Sequence, residues 1–384
     1  MEFDWSPEQQ TLRERVRALL QRELPPDWEV LSRHGPGSRQ QTEFSLTFCP
    51  ALAAEGLLVP HWPREWGGRD ASAWEHFIIG EELWSAGEPR GAQYMNVNFI
   101  GQTIMRFGSD AQKMQHLPDM AAGRSIWCQG FSEPSAGSDL ASLSTRAQRN
   151  GTDYVINGSK VWTSYAAMAR HCFLLARTGG PGKGGIAIFL VPMDTPGITV
   201  RPIPSLIGTG DIHEVFFDDV VVPEETRMGE EGQAWPIIGY ALSHERVGIA
   251  RYAFSRSVLD RMVSLLQARG QFDDPVVQSQ AGKALASCEA ARLLVYRVVD
   301  QRTNGLPPSA DSNVARVAVI AADNAVADFG LNYLADTFSG LDHPLHLSHH
   351  ERAIAAGIAS GAAEIQLNLV AHEYLHLPRE ARPA

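Results

Sequence analysis

Gly130-Phe131-Ser132-Glu133-Pro134-Ser135-Ala136-Gly137-Ser138-Asp139, with Lys160-Val161-Trp162-Thr163-Ser164 downstream, is the part of this sequence whose reading decides the fold. The first stretch is a turn of small residues whose backbone N–H groups can close around an anionic group. Gly137 has no Cβ to hold that group off, and Ser138 adds a hydroxyl donor. The second stretch ends a strand with Trp162, an indole flat enough to cover a planar heterocycle.

Working outward, the segment from about Ser125 alternates with period two. Thr145–Arg149, Asp153–Ile156 and Lys160–Ser164 read as short strands turned at Asn150-Gly151 and Asn157-Gly158. His171–Arg177 and Ile186–Val191 pair across the glycine-rich tip Gly179–Gly185, and Val215–Val222 ends at Pro223. Upstream, Ser6-Pro7-Glu8-Gln9 is a capping box with Pro at the first helical position, and Leu12, Val16, Leu19 and Leu20 follow at helical spacing. Gly56 suits a helix end, and Trp66-Gly67-Gly68 turns into a helix through Trp74–Leu83. Downstream, Pro236 opens a long helix to about Gln267. Val276–Val299, Val314–Ala335 and Ala353–Leu375 complete an Ala-rich four-helix bundle. The expected class is α+β multidomain: an N-terminal helical domain (1–124), a middle antiparallel β-domain (125–230) and a C-terminal helical bundle (231–384).

Composition narrows the function. The net charge of −11 disfavours a nucleic-acid partner. Four separated cysteines without a CxxC pair read as reduced thiols of a cytoplasmic protein. The acidic start has no apolar run behind it, so no signal peptide is expected, and no stretch approaches the ~18 apolar residues of a membrane span, so none is expected.

An anion cradle and an aromatic wall on one β-domain can hold a flavin dinucleotide outside a Rossmann fold. These motifs resemble those of the acyl-CoA dehydrogenase family, and the resemblance runs almost the whole length of the chain. It implies FAD as cofactor, with Phe131 and Ser132 at the pyrimidine edge and Gly137 and Ser138 at the pyrophosphate. Trp162 then stacks on the isoalloxazine, and the Ser164 hydroxyl lies near N5. Ser138 also faces the acyl-CoA substrate.

Desaturating a thioester needs a carboxylate to remove the α-proton. Many family members carry that Glu before a Gly-Thr pair in the last long helix, where this chain has Ser360-Gly361-Ala362. Serine cannot be the base, although the backbone N–H of Ser360 can still polarise the thioester oxygen. Other branches place the base in the first helix of the bundle beside an Arg, and the match here is Glu245-Arg246. Ile238, Leu242, Gly248, Ile249 and Tyr252 lie at helical spacing from Glu245, so the expected carboxylate is on an apolar face, desolvated and more basic. Glu245 is the catalytic candidate; Arg246 and Ser360 are substrate candidates.

In this family a neighbouring subunit completes the flavin site with Arg-x-Thr-Phe-Gly and Gln-x-x-Gly-Gly. The first survives as Arg269-Gly270-Gln271-Phe272-Asp273, so Arg269 and Phe272 are the candidates. At the second, Asn332–Thr337, there is no glycine pair, and Asp336 brings negative charge. A homologous second subunit supplying the missing half accounts for this. The pattern resembles the α2β2 steroid side-chain dehydrogenases, which hold half the usual flavin; a homotetramer is the alternative. The implied activity is α,β-desaturation of an acyl-CoA, with a bulky steroid side-chain thioester as the expected substrate and electrons passed to an electron-transfer flavoprotein. The rival readings are a non-catalytic partner subunit and an oxidase. No metal is expected: His372-Glu373-Tyr374-Leu375-His376 matches H-E-x-x-H, but only eight residues follow, and the segment coincides with the family's closing motif.

Overall fold

The computed structural model describes residues 5–33, 35, 37–206, 208–246, 250–306, 309–339, 345–359 and 361–378; side chains of 208–211, 243–246, 338–339 and 345–346 lie outside that description. Two units result, one of Met1–Arg33, Ser72–Glu88 and Arg246–Ala384, the other of His34–Ala71 and Pro89–Glu245.

The second unit carries the sheet. Its strands are β1 (Trp127–Gly130), β2 (Arg146–Asn150), β3 (Asp153–Ser164), β4 (His171–Arg177), β5 (Ile186–Pro192), β6 (Ile198–Ser205), β7 (Gly208–Pro223) and β8 (Arg227–Met228). They lie in the order β6-β7-β3-β2-β4-β5-β8, with β1 against β4. All pairings are antiparallel except β1·β4 and β2·β4. Phe173, Leu174, Leu175, Phe189, Leu190 and Val191 fill both faces of β4 and β5, so these two strands show no alternation.

The expected hairpin at Asn150-Gly151 forms, joining β2 to β3. The second expected turn does not. Asn157-Gly158 lies inside the continuous strand β3, where Asn157 faces two residues of β7, Asp218 and Asp219, at a register shift. Gly158 has φ +147°, and a Cβ there would come within 2.6 Å of Thr145 Oγ1, so only glycine lets the strand run on past Thr145. The Asn157 side chain is used across the sheet, where its Oδ1 accepts from the Asp219 N–H at 2.9 Å.

Behind β1 and β4, His116 from the helix Asp110–Ala121 packs edge-on against Trp127 and His171, with ring centroids 5.0 and 4.9 Å away. Burial holds both imidazoles down, from 6.5 to about 4, helped by the nearby Arg170 cation; His171 also acts on His116. The folded protein therefore refuses protons that the unfolded chain accepts. Stability is complete above about pH 6.5 and falls as pH drops toward about 4. Melting temperature measured across that window should decline on acidification, and His116→Phe should flatten the decline.

The first unit is helical. Ser6 caps Pro7–Glu23 through the expected reciprocal capping box. Arg13 on that helix pairs with Glu81 and Glu82 of Ala73–Ser85, and Arg17 also reaches Glu82. Small residues Ala281, Ala284, Cys288 and Ala291 line the buried side of Pro275–Thr303 and allow close packing with Asp311–Tyr333.

Two expected long helices are each described as two separate helices. Pro236 to Gln267 becomes Ala234–Arg246 and Arg251–Ala268, with 247–249 outside the described residues and Ala250 at the second N-cap. The last helix divides into Leu345–Ala356 and Ala363–Leu369, followed by a π-helical turn, Val370–Tyr374. At that break the Ala363 N–H bonds Gly357 O at 2.8 Å. His372 and His376 consequently do not share one α-helical face: the first is in the π turn, and the second has φ +55°. Among the described residues no helix is long and apolar enough to cross a membrane.

Candidate active site

The turn after β1 is held from inside by two buried charges. Lys160 Nζ, with a fully buried side chain, donates to Phe131 O at 3.1 Å and to Glu133 Oε1 at 2.8 Å. Glu133 also accepts from the Thr145 N–H at 2.9 Å, and its second oxygen accepts from the Ser144 N–H and hydroxyl at 2.6 and 2.7 Å. Burial would raise the Glu133 carboxyl, but the Lys160 ammonium and these hydrogen bonds hold it at about 2. Burial pulls Lys160 below the ordinary lysine value, and Glu133 opposes that pull. Backbone bonds between Glu133 and Ala136 close the turn, and the Val161 N–H reaches Ser132 O at 2.9 Å.

The outer side of the turn is open. Gly137 and Ser138 are exposed, and a Cβ built on Gly137 meets no atom within 4 Å. Phe131 is a core residue packed 5.8 Å from Phe173, so its backbone rather than its ring is what it can offer a ligand.

Two residues beyond Lys160, Trp162 projects from β3 with 60% of its surface exposed. Its φ is +60°, at a register shift between Lys160 and Thr163. A bulky residue in this region is strained, at a cost of order 1–3 kcal/mol. The bulge turns the indole outward while Thr163 stays buried, its carbonyl 3.2 Å from His213 Nδ1. Ser164 is half-buried opposite Ile212.

Beyond Ser138 lies a cavity of about 810 Å³ between Asp139–Gln148 and the tip that follows Arg177. Arg177 shapes it by donating to the carbonyls of Ala141, Leu143, Gly180 and Gly182 at 2.6–3.0 Å. Arg146 also lines it.

Of the residues singled out from sequence, Phe131, Ser132, Gly137, Ser138, Trp162 and Ser164 lie on one unit, around this turn and strand. Arg269 and Phe272 lie on the other. There Arg269 Nη1 contacts Asp336 Oδ2 at 3.0 Å, so the aspartate expected to repel an anionic cofactor is instead the arginine's own counter-ion. Phe272 is half-buried, its carbonyl accepting from Gln278 Nε2 at 2.9 Å.

Glu245 and Arg246 end the helix Ala234–Arg246, with side chains outside the described residues, as is Ser360 entirely. Tyr252 belongs to the helix Arg251–Ala268, and 248 and 249 lie outside the described residues. The apolar face now rests on the upstream positions Ile238, which is buried, and Leu242, which is half-buried.

Glu133 and Lys160 were quoted in the motifs but given no role. The available signal was the period of β3: Lys160 continues the inward positions of Tyr154 and Ile156, where an unpaired lysine is not tolerated. The residues present suit a flavin dinucleotide, since Gly137 leaves the cradle open and Trp162 supplies an uncovered aromatic face.

Family models match along the chain: acyl-CoA dehydrogenase N-terminal domain at residues 6–124, middle domain at 128–220 and C-terminal domain at 232–375. Acyl-CoA dehydrogenase IpdE1 of Mycobacterium tuberculosis is 32% identical over 383 residues, spanning 96% of this chain and 98% of that protein. The Tcur3481-Tcur3483 steroid ACAD structure superposes with a TM-score of 0.91 at 28% identity, over 99% of this chain and 100% of its own. The ChsE4-ChsE5 complex from Mycobacterium tuberculosis gives 0.88 at 28% identity, with the same coverage.

Proposed function

We propose, from the premise that this chain belongs to the acyl-CoA dehydrogenase family, that it is the flavin-ring-binding, catalytic subunit of a heteromeric dehydrogenase for bulky acyl-CoA thioesters. Carrying this reading is one observation: the exposed, strained Trp162 beside an open anion cradle on the same strand system. The nearby relatives that are a steroid ACAD and a two-protein complex favour a steroid-derived acyl group and a homologous partner.

FAD, when bound, supplies the acceptor for the hydrogen leaving the β-carbon as hydride. The chain's own residues do the rest. Trp162 covers the ring, Ser164 offers its hydroxyl beside it, and Phe131 and Ser132 offer backbone groups to its edge. Gly137 and Ser138 admit the pyrophosphate. Glu245 takes the α-proton, Arg246 lies next to it in the substrate region, and the Ser360 backbone N–H steadies the thioester oxygen as enolate character develops. In a chain of net charge −11, the Arg146 and Arg177 cavity is a locally basic place for the phosphates of coenzyme A. Electrons leave to an electron-transfer flavoprotein, in the cytoplasm.

Arg269 and Phe272 are the remnant of the half-site given to a neighbour's flavin. With Arg269 neutralised by Asp336, that remnant is weak, which supports one flavin for each pair of unlike chains. Co-expression with a homologous dehydrogenase subunit, followed by flavin counting and a dye-coupled thioester assay, tests this. We expect a yellow complex with one flavin per two chains and steroid-acyl-CoA oxidation. One flavin on every copy of this chain alone overturns the heteromer, and a colourless, inactive complex overturns the catalytic reading.

A further inference from the structure

We propose that the buried Glu133–Lys160 pair is a positioning device that sets the turn 131–138 against the Trp162 strand, so that cradle and wall receive a planar dinucleotide together. This rests on the reading that cradle and wall hold a flavin.

Stability alone does not account for the pair. Taking an ammonium and a carboxylate out of water costs several kcal/mol per ion, and well-packed neutral replacements are often no less stable. Both side chains here are essentially inaccessible, at 0% and 2% exposure. Yet the pair touches every segment that must be aligned. Lys160 rises from the strand that carries Trp162 two residues on, about 7 Å along it. Its ammonium holds the Phe131 carbonyl at the start of the turn. Glu133 is in the turn itself, and its two oxygens take three donors from Ser144 and Thr145, where the chain enters β2. The fixed lengths of these bonds, 2.6–3.1 Å, leave little play between turn and wall. Removing one charge leaves the other buried and uncompensated; removing both leaves a fold without the alignment.

The test uses the flavin-loaded protein as it purifies, with any subunit that accompanies it. Lys160→Met and Glu133→Gln are compared with the double variant and with Ser144→Ala, which removes one hydroxyl donor from Glu133 without disturbing the buried charges. Melting temperature, flavin dissociation constant and the visible spectrum of bound flavin are read for each. Each single variant should melt well below the parent. The double variant should recover to within about 5 °C while holding flavin at least about tenfold more weakly, with a displaced visible band. Ser144→Ala should melt within about 2 °C of the parent and hold flavin about threefold more weakly. Parental affinity and spectrum in a folded double variant, or in Ser144→Ala, overturn the proposal. Ser144→Ala decides alone if the double variant does not fold. A parent protein that binds no flavin overturns instead the flavin reading beneath it.

Discussion

Glu245→Gln leaves flavin content and thioester binding intact but slows acyl-CoA oxidation by about 10²–10⁴-fold, the usual contribution of a positioned general base. The α-hydrogen of a thioester is too weakly acidic for water to remove on the timescale of turnover, and Gln has no lone pair basic enough to replace the carboxylate. Glu245 stands in the last turn of Ala234–Arg246, downstream of the buried Ile238 and Ala241. Single-turnover bleaching of the flavin by substrate separates this outcome from its rival. Normal bleaching by the variant would assign the base to another group and leave this chain a partner subunit.

Trp162→Gly and Trp162→Ala both lose flavin, but the glycine variant is the more stable protein. Stacking on an aromatic side chain contributes about 1–3 kcal/mol, so either change should weaken flavin binding by about 5- to 150-fold. At ordinary strand positions glycine is about 0.5–1 kcal/mol less stable than alanine. At φ +60° the order reverses, because alanine keeps a Cβ that crowds the backbone and glycine has none. Thermal melts of the two flavin-free variants read that order directly. Alanine melting higher, or wild-type flavin retention in either variant, would remove Trp162 as a strained aromatic wall.

Much of the architecture was legible because it follows from local chemistry. The Ser6 capping box, the Asn150-Gly151 hairpin and the Ala-rich stripe of Pro275–Thr303 each act over a few residues, and each forms as expected. Expectations failed where distant contacts outweighed local preference. Asn157-Gly158 has hairpin chemistry, but it runs on within β3 at a register shift against β7, where the Asp219 N–H bonds the Asn157 side chain. The last helix was expected over Ala353–Leu375, yet Leu345–Ala356 and Ala363–Leu369 are separate helices, with Gly361 at φ +94°. Asp336 looked like an obstacle to an anion only while its distance from Arg269 was unknown.

From sequence alone came the order of helical and β segments and the two motifs around Gly137 and Trp162, while Glu245 as base is a proposal that the family resemblance supports. These depend on residue type and short spacing, which a chain carries before it folds. Only the tertiary structure decided that Trp162 turns outward on a strained backbone, that Arg269 is neutralised by Asp336, and that Glu133 and Lys160 meet inside the β unit. Those facts join residues 27 or more positions apart, and the charge or strain of each depends on which neighbours displace water from it.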